Sequence, residues 1–443
     1  MIIRQNIKLS DNNEKIIRNI LIVFDLFILV VALSTGASTM FEGMGNIINH
    51  SSALVADYMV IGGISAAFFN TFLVTTLGIA LLLISKVHLN GVSFAAIFML
   101  SGFSLFGKNI MNVIPIMLGV IIYALIFKRR LSKVVYAALF GTALGPIVTE
   151  IFIQMNQPVI VNLLVSYLAG IFIGFILPPV SECVLSAHKG FDLYNIGFTD
   201  GFVSICLLSF LKICGFGATP NSMNEHINDN LFLGFLIGFS LILIIVGIFF
   251  DHDVIKGQKN INKESGKGQV DFIFREGIGA TLTNMGLCCL LSTLFMYFVG
   301  APLNGPIYGT IISITGFCAC GDNLRNISFI YIASLIGHLT GLWNIADSVG
   351  IALATLLGTG LAPIGGYYGM IPGIISGFVH ISLAQFTSPL HLGLNLYNNG
   401  FVAGIVAMFL VPIFESFVKL KRKLVIYKNF IHKGESDNGS IEW

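Results

Sequence analysis

Two copies of one polar motif stand in an otherwise apolar chain. The run from His188 to Phe198 recurs from His391 to Phe401. His, Gly, Leu, Tyr, Asn, Gly and Phe fall at matching places, as His188, Gly190, Leu193, Tyr194, Asn195, Gly197 and Phe198, then His391, Gly393, Leu396, Tyr397, Asn398, Gly400 and Phe401. Each copy brings an imidazole, a phenol, an amide and flexible glycines into one short stretch. That set suits an unwound hinge or re-entrant loop whose Tyr and Asn hydrogen-bond a polar solute. A second pair of motifs frames two short apolar runs. Leu89-Asn90-Gly91 and Leu303-Asn304-Gly305 open them, and Gly107-x-Asn109-x-x-Asn112 and Gly321-x-Asn323-x-x-Asn326 close them. Asn90, Asn109, Asn304 and Asn323 are placed to serve freed backbone groups or a solute. The residue between Gly and Asn is Lys108 in one copy and Asp322 in the other, so the two are expected to pair across the copies. Glu150 and Asp200 are further carboxylates in apolar surroundings and are candidates for ion coupling, because an intramembrane charge is costly. Asp25, His338, His380, Asn70 and Asn284 also lie in apolar runs, with interhelical hydrogen bonding as the simpler role for the asparagines.

This is binding and coupling chemistry, not bond-making chemistry. There is no His-Glu-x-x-His, no Gly-x-Ser-x-Gly and no Asp pair, so no enzyme and no catalytic residue is expected. The cysteines lack metal-ligand spacing. Cys288 and Cys289 are adjacent, and Cys318-x-Cys320 has no second pair. No metal site and no cofactor is expected, and the thiols read as small core hydrophobes.

The elements that must position these residues are membrane helices. Of 443 residues, 55% are hydrophobic and only 10% charged, against about 25% charged in a soluble domain. A soluble enzyme, a disordered chain, a nucleic-acid binder and a disulfide-stapled secreted protein are thereby excluded. About 20 apolar residues cross the hydrocarbon, and only helices or closed barrels pair their backbone groups there. Continuous apolar runs predict spans at 18–35, 61–84, 92–106, 111–127, 133–153, 159–179 and 196–214, then at 231–250, 276–299, 306–320, 327–343, 346–363, 367–383 and 399–418. Pro146 and Pro363, in matching Gly-Thr-x-Leu-x-Pro contexts, read as kinks or helix ends.

A shift of 214 positions aligns Gly63 with Gly277, Asn70 with Asn284, Asn90 with Asn304 and Asn109 with Asn323. Matches in Gly, Asn, His, Tyr and Pro are not forced by lipid, so the chain is a duplication. The expected organisation is a cytoplasmic tail (1–17), a first membrane repeat (18–228), a second (229–418) and a basic cytoplasmic tail (419–443). Seven spans per repeat would turn the second repeat over relative to the first. With the N-terminus inside, 22 of the 24 Lys and Arg residues fall on the cytoplasmic side, leaving Lys108 and Lys212 as exceptions, as the excess of Lys and Arg in cytoplasmic loops requires. Loop 36–60 has no Lys or Arg, whereas its counterpart 251–275 is basic and reads as a solvated linker. The expected fold is therefore an all-α polytopic membrane helix bundle of two inverted-topology repeats, some of whose segments are half-helices or re-entrant.

The Gly-Leu-Asn-Leu-Tyr-Asn-Asn-Gly run and the duplicated pattern over nearly the whole chain resemble a bacterial multi-pass membrane family known as two copies of a domain of unknown function. That resemblance implies no activity. The segments Gly190–Gly197 and Gly393–Gly400 are more weakly similar to a motif of urea channels, which also have two inverted halves. Where that family has Asn-Pro-Leu, this chain has Asn70-Thr71-Phe72-Leu73. Seven plus seven spans is the topology of nucleobase and anion transporters, without their signature segments. Inverted repeats build transporters whose site lies between the halves near the midplane. The expected function is a multi-pass transporter of a small polar or ionic solute in the cell (inner) membrane, with both termini cytoplasmic. The alternatives are a passive urea- or amide-type channel and a non-transporting membrane sensor or assembly protein. The expected partners are the bilayer and the solute, with no nucleic acid; a homo-oligomer is compatible with this reading.

Overall fold

The computed structural model describes residues 11–53, 56–217, 229–251 and 253–437. Among them every regular element is helical. The first half holds α1 (Asp11–Ser34), α2 (Met40–Asn49), α3 (Tyr58–Ile61), α4 (Gly63–Ser85), α5 (Gly91–Phe103), α6 (Ile110–Ile126), α7 (Leu131–Gly141), α8 (Gly145–Gln154), α9 (Val159–Val184) and α10 (Asn195–Ile213). The second holds α11 (Asp229–Phe250), α12 (Val254–Ile261), α13 (Phe272–Phe298), α14 (Gly305–Phe317), α15 (Leu324–Leu339), α16 (Val349–Leu357), α17 (Ala362–Tyr368), α18 (Met370–Thr387) and α19 (Asn398–Asp437).

Among the described residues, ten runs are long and apolar enough to cross a bilayer, counting α7 with α8 and α16 with α17 as single broken spans. The shorter α5, α6, α14 and α15 occupy the remaining places expected for membrane segments. The outer faces of α1 (Val23, Leu26, Val30), α9 (Ile160, Leu164, Leu168) and α11 (Ile242, Ile245, Phe249) are exposed. Apolar surface this extensive would not be stable in water, and the chain is a membrane-embedded helical bundle.

The centre of the bundle is built from α5 and α14. All thirteen residues of each are buried. At 1.5 Å per residue each is about 20 Å long, short of the ~30 Å hydrocarbon thickness. The two pack antiparallel through glycine. A Cβ on Gly102 would lie 2.0 Å from Gly309 O, and one on Gly316 would lie 2.7 Å from Phe94 O. No side chain larger than hydrogen fits at either place. Residues 102 and 309 in contact, and 316 beside 94–95, are the same contact with the halves exchanged.

One local feature differs from the sequence expectation. Segment 251–275 is not a solvated linker. It contains α12, whose Val254, Gly257, Gln258 and Ile261 are buried, and Gln269 Nε2 donates to Leu193 O at 2.8 Å. Its counterpart in the first half, α2, likewise lies in what reads as a polar loop. Both were hidden because their apolar stripes are too short to register as membrane spans. Spans 133–153 and 346–363 are each broken in the middle by a 3₁₀ turn, Thr142–Leu144 and Gly358–Leu361, with Pro146 and Pro363 in the first turn of the helix that follows. Proline has no N–H to give and so fits best in the first turn of a helix.

Candidate functional site

The site is assembled from the ends of the two short helices. Asn90 Oδ1 accepts from Val92 N (2.9 Å) and Ser93 N (3.3 Å), while Ser93 Oγ accepts from Asn90 N (3.1 Å). Asn304 Oδ1 accepts from Ile307 N at 3.2 Å. These are N-caps. A second cap comes from the opposite half. Asp57 Oδ2 accepts from Gly305 N at 2.9 Å, and Asp271 Oδ1 accepts from Gly91 N at 3.3 Å. Each aspartate also caps its own chain segment, Asp57 through Met59 N and Asp271 through Ile273 N. Burial pushes the Asp271 carboxyl up, while its backbone N–H donors pull it down. Asp57 and Asp271 are 214 residues apart, the repeat offset. That spacing was the available signal, and sequence reasoning missed it because a lone Asp at a helix start is common.

The turns after the short helices are clamped identically. Asn70 Nδ2 donates to Ser104 O and Lys108 O, both at 2.8 Å, and Asn284 Nδ2 donates to Cys318 O (2.8 Å) and Asp322 O (2.9 Å). Asn109 and Asn112 form a capping box that starts α6, and Asn323 and Asn326 form the same box at α15. Asn323 Nδ2 also donates to Ile261 O and Glu264 O. The asparagines Asn90, Asn109, Asn304 and Asn323 therefore serve freed backbone groups in this conformation. Lys108 and Asp322 project from matching, rigidly held positions.

The Tyr-Asn motifs meet on the same pseudosymmetric centre. His188 Nε2 and Asn195 Oδ1 are 2.9 Å apart, as are His391 Nδ1 and Asn398 Oδ1. These pairs tie each loop to its own helix. Tyr194 N donates to Asp192 Oδ1 and Tyr397 N to Asn395 Oδ1. Here Asp and Asn are interchangeable, since only an oxygen is needed. Leu193 N donates across to Gly360 O, in the break before α17, and Leu396 N donates to Ala143 O, in the break before α8. Each loop thus closes the broken helix of the other half. Helices α10 and α19 touch at Gly197 and Gly400, where a Cβ on Gly197 would lie 2.9 Å from Gly400 Cα. The rings of Tyr194 and Tyr397 stand 5.4 Å apart, with Tyr194 on Phe317 (4.6 Å) and Tyr397 on Phe103 (5.4 Å).

Around these rings lie three fully buried charged side chains: Lys108, Asp200 and Asp322. Lys108 Nζ and all four carboxylate oxygens of Asp200 and Asp322 have no hydrogen-bond partner among the described residues. The Lys108–Asp322 pair expected from sequence is not formed. Because α5 and α14 cross antiparallel, the turns that follow them leave the crossing in opposite directions. Lys108 shares this buried cluster with Asp200 but makes no direct ion pair with it, and Lys108 Nζ lies 5.1 Å from the centre of the Phe103 ring. Asp322 instead faces Thr359 and Tyr194. Glu150 is apart from this cluster. It accepts from Ser51 Oγ and from Gln154 Nε2 (2.6 Å) and borders a small cleft with Leu208 and Leu394. A further small cleft lies among Phe24, Phe27, Phe68, Phe235 and Phe239 and touches none of the three charges.

Residues 37–213 and 250–416 each match one family, described as protein of unknown function (DUF1576). The chain belongs to that family. It carries two tandem copies of the domain, and α1 and most of α11 lie ahead of the matched regions. Neither the curated proteins nor the solved structures give a match to this chain.

Proposed function

We propose that this membrane protein moves a small polar or ionic solute through a site between its two halves, which lie oppositely oriented in the cell membrane. The single observation that carries this reading is the cluster of Lys108, Asp200 and Asp322, buried without hydrogen-bond partners where the halves meet. Buried charges of this kind cost several kcal/mol each. Packing gains nothing from them, and a solute or ion path gives them a purpose.

Three further features support it. The reciprocal contacts of α5 with α14 and of α10 with α19 are those of an approximate twofold operation, and the antiparallel packing of α5 and α14 supports an axis lying in the membrane plane. Basic side chains gather at one end of the bundle. There Lys189 Nζ donates to Glu415 Oε2 at 2.9 Å, Arg325 reaches Asn262 O and Gly366 O, and Lys267 lies 4.1 Å from the centre of the Phe191 ring. By the charge rule this is the cytoplasmic end, with both termini. The broken spans α7–α8 and α16–α17 lie beside the charges, where discontinuous helices mark transporter sites.

The test is reconstitution. Proteoliposomes are challenged with a panel of carboxylates, amino acids and inorganic ions on a solid-supported membrane, and with urea in a swelling assay. Currents or uptake that saturate, and that are abolished in Asp200→Asn, support the carrier. Non-saturating urea swelling would replace it with a passive channel. No flux of any kind in a folded, correctly inserted preparation would refute transport.

A further inference from the structure

We infer that Asp322 carries a proton in the conformation seen here, and that this proton is the coupling ion of transport; the second clause rests on the function proposed above.

The argument is an account of hydrogens. Asp322 is fully buried, and neither carboxylate oxygen has a donor among the described residues. The polar and titratable groups that face it are Thr359 from the break before α17, Tyr194 from the loop before α10, Tyr331 from α15, and Cys318 and Cys320 from its own turn. None is basic. The neighbouring hydroxyls all have other acceptors in reach. Thr359 Oγ1 lies 2.9 Å from Leu356 O and 3.0 Å from the Tyr194 hydroxyl, and the Tyr331 hydroxyl lies 2.6 Å from Ser292 Oγ, itself 2.8 Å from Cys288 O. Of these only the Thr359 hydroxyl also reaches the Asp322 carboxyl. Both Asn284 amide hydrogens go to backbone carbonyls, and the Cys318 thiol donates to Ile314 O. Cys320 has only a weak thiol donor.

With no cation beside it among the described residues and no hydrogen bond formed to either oxygen, a carboxylate in this place would be an uncompensated buried charge. A neutral carboxyl has one hydrogen to give, and Thr359 Oγ1 has a free lone pair to take it. The pseudosymmetric place in the first half shows the contrast. There a cation, Lys108, shares the buried cluster with the carboxyl of Asp200. The position matching Asp200 in the second half is Ala403, and no cation stands in for the missing partner. No group of acidic, His or Cys side chains that could hold a metal ion is found among the described residues, and a sodium step distinguishes a proton from a metal cation at this carboxyl. When the halves separate and water reaches Asp322, the carboxyl releases its proton to water. Closing the site again requires the carboxylate to take one back, from whichever side is then open.

The protonation is read by infrared difference spectroscopy of the full-length protein in lipid at neutral pH. The expected result is the carbonyl stretch of a protonated carboxylic acid. It should be present in the wild type and in Asp200→Asn, absent in Asp322→Asn, and shifted to higher frequency in Thr359→Val, which removes the acceptor. Absence of the band from the wild type at neutral pH overturns the inference whatever the variants do. Coupling is read on a solid-supported membrane without solute, using pH steps and sodium steps alone. The wild type should give a transient charge movement on a pH step and none on a sodium step at fixed pH, and Asp322→Asn should lose it. A sodium transient of the same size, or an unchanged pH transient in Asp322→Asn, overturns proton coupling. Failure of solute transport itself would appear differently, as no solute flux with the band and the pH transient both intact.

Discussion

Asn70 and Asn284 carry more of the architecture than any charged residue. Each side chain holds two carbonyls of a buried turn. Leaving a buried acceptor without its donor costs about 1–3 kcal/mol. Asn284→Ala should therefore destabilise by about that amount per carbonyl lost, seen as a lower midpoint in thermal unfolding of the detergent-solubilised protein, and Asn284→Asp should not rescue it because a carboxylate cannot donate. The buried charges make a second residue-scale prediction. Removing one member of a buried ionic couple costs about 3–5 kcal/mol because the other is left uncompensated, while removing both is close to neutral. Lys108→Met alone should be poorly stable, and Lys108→Met with Asp200→Asn should recover most of the loss. Additive losses in the double variant would mean that the two side chains do not act on each other.

At the scale of elements, the short helices depend on the opposite half for their first turn. Asp57 caps α14 and Asp271 caps α5. Replacing such a cap by Ala typically costs ~1 kcal/mol. Asp57→Ala and Asp271→Ala should each lower the unfolding midpoint, whereas the Asn variants, which keep an acceptor oxygen, should stay near wild type. Equal losses for Asn and Ala would show that the charge matters beyond the hydrogen bond. Gly63 and Gly277 are a matched pair of another kind. Both hold positive φ, 81° and 87°, at the start of α4 and inside α13, a conformation that other residues adopt only with strain. Nothing lies within 4 Å of a Cβ at Gly63, so the conformation alone calls for glycine there. The motifs that place these elements were legible in the sequence, because Asn, Gly and Pro matches at a fixed offset have no lipid-driven cause. Helices α2 and α12 were not legible, since ten and eight residues with a narrow apolar stripe look like loop until a neighbouring helix covers them.

For the whole molecule, the inverted arrangement has a direct test. Asn46 on α2 and Lys259 on α12 are exposed residues on matching helices of the two halves. In a variant with the exposed Cys183, Cys206 and Cys214 replaced by Ser, Asn46→Cys should react with an impermeant maleimide from outside intact cells. Lys259→Cys should react only after the membrane is opened. Labelling of both from one side would place the halves parallel and remove the basis for a two-sided site.

Composition by itself determined that this chain lives in lipid, because no aqueous fold tolerates so few charges over 443 residues. Repetition of polar residues determined that it is two copies of one design, and the segments at 92–106 and 306–320 were recognisably too short to span. Which charges face each other was decided only in three dimensions. Lys108 and Asp322 occupy the same place in their repeats, yet the antiparallel crossing of α5 and α14 turns them away from each other and brings Asp200 to Lys108. A duplication fixes which positions are equivalent, and it takes the packing of the two copies to fix which positions are neighbours.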